Sequence, residues 1–127
     1  MRALAKFILI SALTVVSACG ERDFSAARIQ ADLNGISNAL KFYKLDCGSY
    51  PTDELGLTVL LNPSGDSCDS RLNRYVSQLP NDPWGNSYSY RKVSENSFEL
   101  ASLGRDGKEG GYGSSKDILL KTDESEN

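Results

Sequence analysis

Between positions 24 and 45 the apolar residues Ile29, Leu33, Ile36, Leu40 and Tyr43 recur in steps of 4, 3, 4 and 3. Steps of that size place all five on one side of an α-helix, with Arg28, Gln30, Asp32, Asn34, Ser37, Asn38, Lys41 and Lys44 largely off that stripe. A helix is therefore predicted from about Phe24 to Leu45, with Asp23 or Ser25 as its N-cap and Gly48 as its stop signal. Gly35 lies inside it at a cost of up to about 1 kcal/mol relative to Ala, and marks either close packing or nothing. Pro51 and Thr52 then open a second, shorter helix over Asp53 to Leu61, whose leucines make an apolar side. Asn62 to Asn73 reads as loop, Arg74 to Leu79 as short and irregular, and Pro80-Asn81-Asp82-Pro83-Trp84-Gly85-Asn86 as a turn cluster. Beyond it the period changes to two. Tyr88 and Tyr90 share one face, Phe98 and Leu100 share another, and Ser94-Glu95-Asn96 between them is a hairpin turn. Gly104 to Lys116 is a loop rich in glycine and charge, Asp117 to Leu120 a last strand, and Lys121 to Asn127 a polar tail expected to be mobile. The sum is an α+β domain: a long N-terminal helix packed on a small antiparallel sheet, with a Gly-rich loop near the C-terminus.

The front of the chain changes what has to be folded. Met1 to Ala18 reads as a secretory signal, with Arg2 and Lys6 ahead of a mostly apolar run from Phe7 to Ala18. That run is about 12 residues, short of the roughly 18 to 20 that span a bilayer. Cleavage after Ala18 leaves 109 of the 127 residues, enough for one domain, predicted over 24–120 behind a short polar tether at 19–23. The net charge falls from −3 to −5 when Arg2 and Lys6 leave. An acidic chain with no basic stretch is a poor partner for nucleic acid. The absence of histidine excludes Ser-His-Asp and Cys-His catalysis and His-ligated zinc.

Three cysteines divide into one and two. Val16-Ser17-Ala18-Cys19 puts small residues before a Cys at the end of the apolar run, and resembles a bacterial lipobox. That resemblance implies acylation of Cys19 and a membrane anchor, since each buried methylene contributes about 0.8 kcal/mol. Gly20 stands where an Asp would imply retention at the inner membrane, so the expectation is the periplasmic side of the envelope, at the outer membrane. The other two, Cys47 and Cys68, allow one intramolecular disulfide, which an oxidising compartment favours over two free buried thiols. Closing that loop would stabilise the fold by about 3 kcal/mol in the chain-entropy model.

Three co-linear stretches resemble one family, the major (G-type) pseudopilins of type II secretion. They are Leu40-Lys41-Phe42-Tyr43-Lys44-Leu45-Asp46-Cys47-Gly48-Ser49-Tyr50-Pro51-Thr52, continued by Glu54-Leu55-Gly56-Leu57; Leu79-Pro80-Asn81-Asp82-Pro83-Trp84-Gly85-Asn86-Ser87-Tyr88; and Ser102-Leu103-Gly104-Arg105-Asp106-Gly107 with Gly110-Gly111 and Asp117-Ile118. The resemblance covers about residues 28 to 120 and implies a pilin-like fold without enzymatic activity. Asp53 and Glu54, adjacent and pointing apart on a helix, make a poor acid–base pair in any case. Trp84 reads as a turn residue fixed to the core.

The resemblance further implies a calcium site in the Gly-rich loop, carried over by position to the carbonyl of Leu103 and the carboxylates of Asp106 and Asp117. Calcium takes six to eight oxygens, and glycines let backbone carbonyls converge on an ion. This chain departs from the family where another acid is usual just before the final Asp-Ile: it has Ser115 and Lys116, which weakens a divalent site electrostatically. Glu109 is a substitute at an unmatched position, and a solvated polar loop is the alternative.

In the resembled family a long apolar helix stays in the membrane and then forms the core of a filament. No such stretch is found in this chain, so the expectation is a pilin-type head moved onto a lipid anchor, with filament self-assembly unfavourable. The functional expectation is a non-enzymatic, lipid-anchored structural or accessory protein of a type II secretion or pilus-like assembly, contacting its subunits. A stand-alone calcium-binding envelope or adhesion module is the alternative.

Overall fold

The computed structural model describes residues 20–63, 68 and 74–122, and side chains in the first helix from residue 25 onward. The signal run, Cys19 and residues 123–127 of the predicted 121–127 tail lie outside the described residues, as does most of the loop at 62–73. Lys121 ends a strand and Thr122 N–H donates to the Phe98 carbonyl at 3.1 Å, so the tail begins later than predicted.

The first helix, α1, runs Gly20–Cys47. It starts earlier than predicted, so positions 20–23 of the segment read as a tether are helical and neither Asp23 nor Ser25 is an N-cap. Glu21-Arg22-Asp23 contains no residue that breaks a helix, and nothing local forces the start to Phe24. The end is where the sequence puts it. Gly48 turns left-handed, with φ of 83°, and its N–H closes on the Lys44 carbonyl at 2.7 Å.

All five residues of the predicted stripe are buried, Ile29, Leu33 and Leu40 completely. Burying aliphatic side chains of this size contributes roughly 1.5–3 kcal/mol each. They meet Tyr50, Val59, Leu60, Tyr88, Phe98 and Leu100 in one core. Gly35 faces open space, so its substitution meets no packing obstacle.

A disulfide joins Cys47, the last residue of α1, to Cys68. The second helical segment is shorter than predicted and is a 3₁₀ helix, Gly56–Leu60. Thr52 does supply a cap-like contact, its Oγ1 accepting the Leu55 N–H at 3.4 Å. The left-handed Gly56, at φ of 57°, separates that turn from the helical residues and prevents one continuous α-helix.

Strands β1 (Ser89–Lys92), β2 (Phe98–Ser102) and β3 (Ile118–Lys121) form an antiparallel sheet in that order. Tyr90 pairs with Leu100 and Leu100 with Leu120, which puts apolar side chains from all three strands on the face toward α1. On the other face Arg91 pairs with Glu99 and Glu99 with Lys121, and both cations contact the Glu99 carboxylate. These contacts, that of Lys121 first, hold the Glu99 carboxyl below its ordinary pKa. The outer edge of β1 is partly satisfied by Asp53, whose Oδ1 accepts the Lys92 N–H at 2.6 Å. That bond gives Asp53 a structural role. The described residues contain no helix long and apolar enough to cross a membrane.

Candidate functional site

Downstream of β2 the chain enters the loop of residues 103–117, where the sequence places its ligand candidates. The loop folds back on itself: Arg105 N–H donates to the Ser114 carbonyl at 2.9 Å, and Gly110 N–H to Asp117 Oδ2 at 2.9 Å. Two glycines make the return possible. A Cβ on Gly104 would lie 2.6 Å from the Ser115 carbonyl carbon, and one on Gly111 would lie 2.4 Å from the Ser115 oxygen. Both glycines also have left-handed φ, 75° and 94°. Any side chain at either place would collide with the backbone of Ser115 on the returning segment.

The predicted ligands are placed unequally. Leu103 directly follows β2 and immediately precedes Gly104, at the loop's entrance. Asp117 sits at its exit; its Oδ2 is occupied by Gly110, while its Oδ1 is buried and has no hydrogen-bond partner. A buried carboxylate oxygen without a partner is costly, and a cation is one group that would satisfy it. Asp106 is exposed and its Oδ1 accepts the Lys108 N–H at 3.1 Å, a local turn contact. Among the described residues no three acidic, histidine or cysteine side chains gather into a metal-holding group. The residues thus fit a hard cation through Asp117 and backbone carbonyls, with Asp106 as an exposed contributor at most and no cage of carboxylates. The Ser115 carbonyl, which lies against Gly104 and Gly111, is a further loop oxygen that no acidic residue in the sequence marks. The glycine pair facing it was the available signal.

A second missed residue is Asp82. It is 2% exposed, and its carboxylate is fully employed. Oδ1 accepts the N–H groups of Trp84 at 3.1 Å and Asn86 at 2.8 Å, and Oδ2 accepts the Ser102 hydroxyl at 2.9 Å. Three donors thus converge on one buried carboxylate. It ties the Pro80–Asn86 turn to the end of β2. From there Ser102 Oγ accepts the Gly104 N–H at 3.3 Å, and Asn86 Nδ2 donates to the Gly104 carbonyl at 3.0 Å. The turn and the glycine loop are therefore one hydrogen-bonded unit.

The tyrosines complete the framework. Tyr88 donates its hydroxyl to Asp32 on α1 at 2.6 Å, and Tyr90 donates to the Pro51 carbonyl at 2.7 Å. Burial, followed for Tyr88 by the Asp32 hydrogen bond and for Tyr90 by the charge of Asp53, pushes both phenols well above the ordinary tyrosine range. An open pocket of about 270 Å³ lies between Ile36, Leu57, Leu79, Tyr88 and Tyr90. It brings together no set of acids or nucleophiles that would do chemistry.

A long helix laid across a three-stranded antiparallel sheet, with a partly buried turn bracing a glycine-rich loop, defines a pilin-type head. The family model for type II secretion system (T2SS), protein G matches residues 15–121, and the chain belongs to that family. The type II secretion system core protein G of Pseudomonas aeruginosa is 37% identical over 115 residues, covering 87% of this chain and 81% of the relative. That of Vibrio cholerae is 40% identical over 92 residues, covering 68% and 62%. The crystal structure of the major pseudopilin from the type 2 secretion system of enterohaemorrhagic Escherichia coli superposes with a TM-score of 0.64 at 30% identity, over 76% of this chain and 86% of that one. The family is one of structural proteins, and this chain is not an enzyme.

Proposed function

We propose that this chain is a structural pseudopilin-type subunit of type II secretion, working on the periplasmic side of the envelope in contact with other secretion subunits. One observation carries the reading: a pilin-type fold whose motifs follow the family in order, within a match from residue 15 to 121. A match of that length does not favour the stand-alone calcium-binding module that the sequence left open.

Family membership also runs against the expectation of a head unable to stack. The match begins at residue 15, inside the run read as a signal, so part of that run is family sequence. Assembly with like subunits is therefore the proposed behaviour. The lipid on Cys19 and the outer-membrane preference belong to the same proposal, supported by the small residues Ser17 and Ala18 ahead of Cys19 and by Gly20 after it. Deleting the gene should block export of secreted proteins, and affinity capture of the chain from envelope extracts should recover secretion subunits. Unimpaired export together with a capture free of such subunits would overturn the reading. Mass spectrometry of the mature chain tests the anchor separately, since a free Cys19 thiol or an intact Met1 would dispose of it.

The loop is proposed to hold calcium through the Asp117 carboxylate and the carbonyls of Leu103 and Ser115, with Asp106 at the rim. The ion would supply positive charge to the buried Asp117 oxygen and cross-link the two ends of the loop. With fewer carboxylates than the family pattern, its affinity is expected to be low.

A further inference from the structure

Asn86 belongs to no ligand set, yet its side chain bridges the Pro80–Asn86 turn and the glycine loop. Its carboxamide donates to the Gly104 carbonyl at 3.0 Å, and the Gly107 N–H reaches the same oxygen at 3.2 Å. Gly107 lies close against it: a Cβ there would be 3.3 Å from Asn86 Cγ. Asn86 is itself held by its backbone, its N–H on Asp82 Oδ1 and its carbonyl accepting the Asp82 N–H, both at 2.8 Å. The amide is therefore presented from a fixed turn.

Peptide planarity turns these contacts into an orienting device. A trans peptide points its C=O and the following N–H in opposite directions. The Gly104–Arg105 peptide is gripped at both ends, its carbonyl by Asn86 and its N–H by the Ser114 carbonyl at 2.9 Å. Fixing one end aims the other, so Asn86 directs the contact that brings Ser114, and with it Ser115 and Asp117, back to the loop's entrance. One peptide earlier, Gly104 N–H is directed at Ser102 Oγ, which aims the Leu103 carbonyl the opposite way. Both peptide planes flanking Gly104 are thus set by side chains from outside the loop.

We propose that Asn86 is the positioning residue of the loop's cation site: without touching the ion, it holds the Gly104 peptide in the orientation that lets Leu103, Ser115 and Asp117 offer their oxygens together. The proposal rests on the calcium reading given above. Supporting groups of this kind typically change metal affinity about 10- to 100-fold when removed.

The test is calorimetric titration of the full chain, purified in detergent, with calcium chloride. Asn86→Ala should weaken binding by about 10-fold or more. Asn86→Asp keeps the shape but cannot donate to Gly104; charge alone would tighten binding, whereas loss of positioning weakens it. Trypsin digestion in chelator supplies a readout independent of the ion, with cleavage after Arg105 and Lys108 expected to be faster in both variants than in the wild type. Circular dichroism confirms that each variant is folded. Unchanged or tighter binding in a folded Asn86→Asp chain would overturn the positioning role while leaving the calcium site standing. A wild-type chain that gives no calcium heat would overturn both, and so separates the two failures.

Discussion

Removing the Asp82 carboxylate should damage this head more than removing any surface charge. In Asp82→Ala three donors lose their acceptor: the Trp84 and Asn86 N–H groups and the hydroxyl of Ser102, a residue with no exposed surface. A buried donor left unpaired costs about 1–3 kcal/mol, and two of these three lie in a partly buried turn, so the expected loss is about 3–5 kcal/mol. Relief from burying a charge lowers that figure somewhat. Asp82→Asn is the informative companion. Its remaining oxygen still accepts both backbone N–H groups, while its new NH₂ faces Ser102 and forces that hydroxyl to turn round. That single exchange should cost about 1–2 kcal/mol.

Each kcal/mol corresponds to about 4–8 °C in a domain of this size, so Asp82→Asn should melt roughly 5–15 °C lower and Asp82→Ala lower still. Trp84 is the only tryptophan and sits in the affected turn, so its fluorescence during urea unfolding reports the transition directly. A double-mutant cycle with Ser102→Ala should show a coupling of about 1 kcal/mol or more, because the two residues share a hydrogen bond. Wild-type stability in Asp82→Ala, or equal losses in the Ala and Asn variants, would refute the account of Asp82 as the hub.

Cys47→Ser should lower stability by about 3 kcal/mol under oxidising conditions, and chemical reduction of the wild type should reproduce that loss in a urea titration. Tyr50, Tyr88 and Tyr90 all have pKa values raised chiefly by burial, so their contribution is intact below the ordinary tyrosine value of 10.0 and disappears as pH climbs through the raised folded values. Absorbance at about 295 nm during alkaline titration should therefore show these phenols ionising together with loss of helical circular dichroism, and separate early ionisation would contradict the packing. Calcium should raise the wild-type melting temperature, and Asp117→Asn should abolish that rise while leaving the chelated protein folded; an undiminished rise would exclude Asp117 as a ligand.

The helix face was legible because burial on a helix leaves a period. Ile29, Leu33, Ile36, Leu40 and Tyr43 repeat with that period and all reach the core. The strands were legible by alternation at Tyr88 and Tyr90 and at Phe98 and Leu100. The bracing unit left no such mark. Asp82 and Asn86 act on residues 18 to 20 positions away, through single side chains whose targets are backbone groups or one hydroxyl. Within the sequence they read as ordinary turn formers, which they also are. The second helix was over-read for the opposite reason. Leu55, Leu57, Leu60 and Leu61 supply apolar bulk without a consistent period, and Gly56 takes a conformation that interrupts them.

These contacts also bear on how the head relates to the residues that precede it. The buried stripe of α1 begins at Ile29, and the described contacts to the sheet, the disulfide and the loop unit all come from residues after 27. Helix residues 20–24 precede that stripe, and α1 passes through them without a break. The unbroken helix gives a stiff connection from the head toward residue 19. A lipid on Cys19 and a continued family helix would both deliver their load through this same connection. Gly35, exposed and with open space around it, lies within the packed part of the helix and lowers its intrinsic helical preference by about 1 kcal/mol relative to Ala. The stripe residues on either side of it, Leu33 and Ile36, are both buried against the rest of the head. Tertiary packing, not local propensity, therefore keeps this stretch helical, and the connection is stiff only while the head is folded.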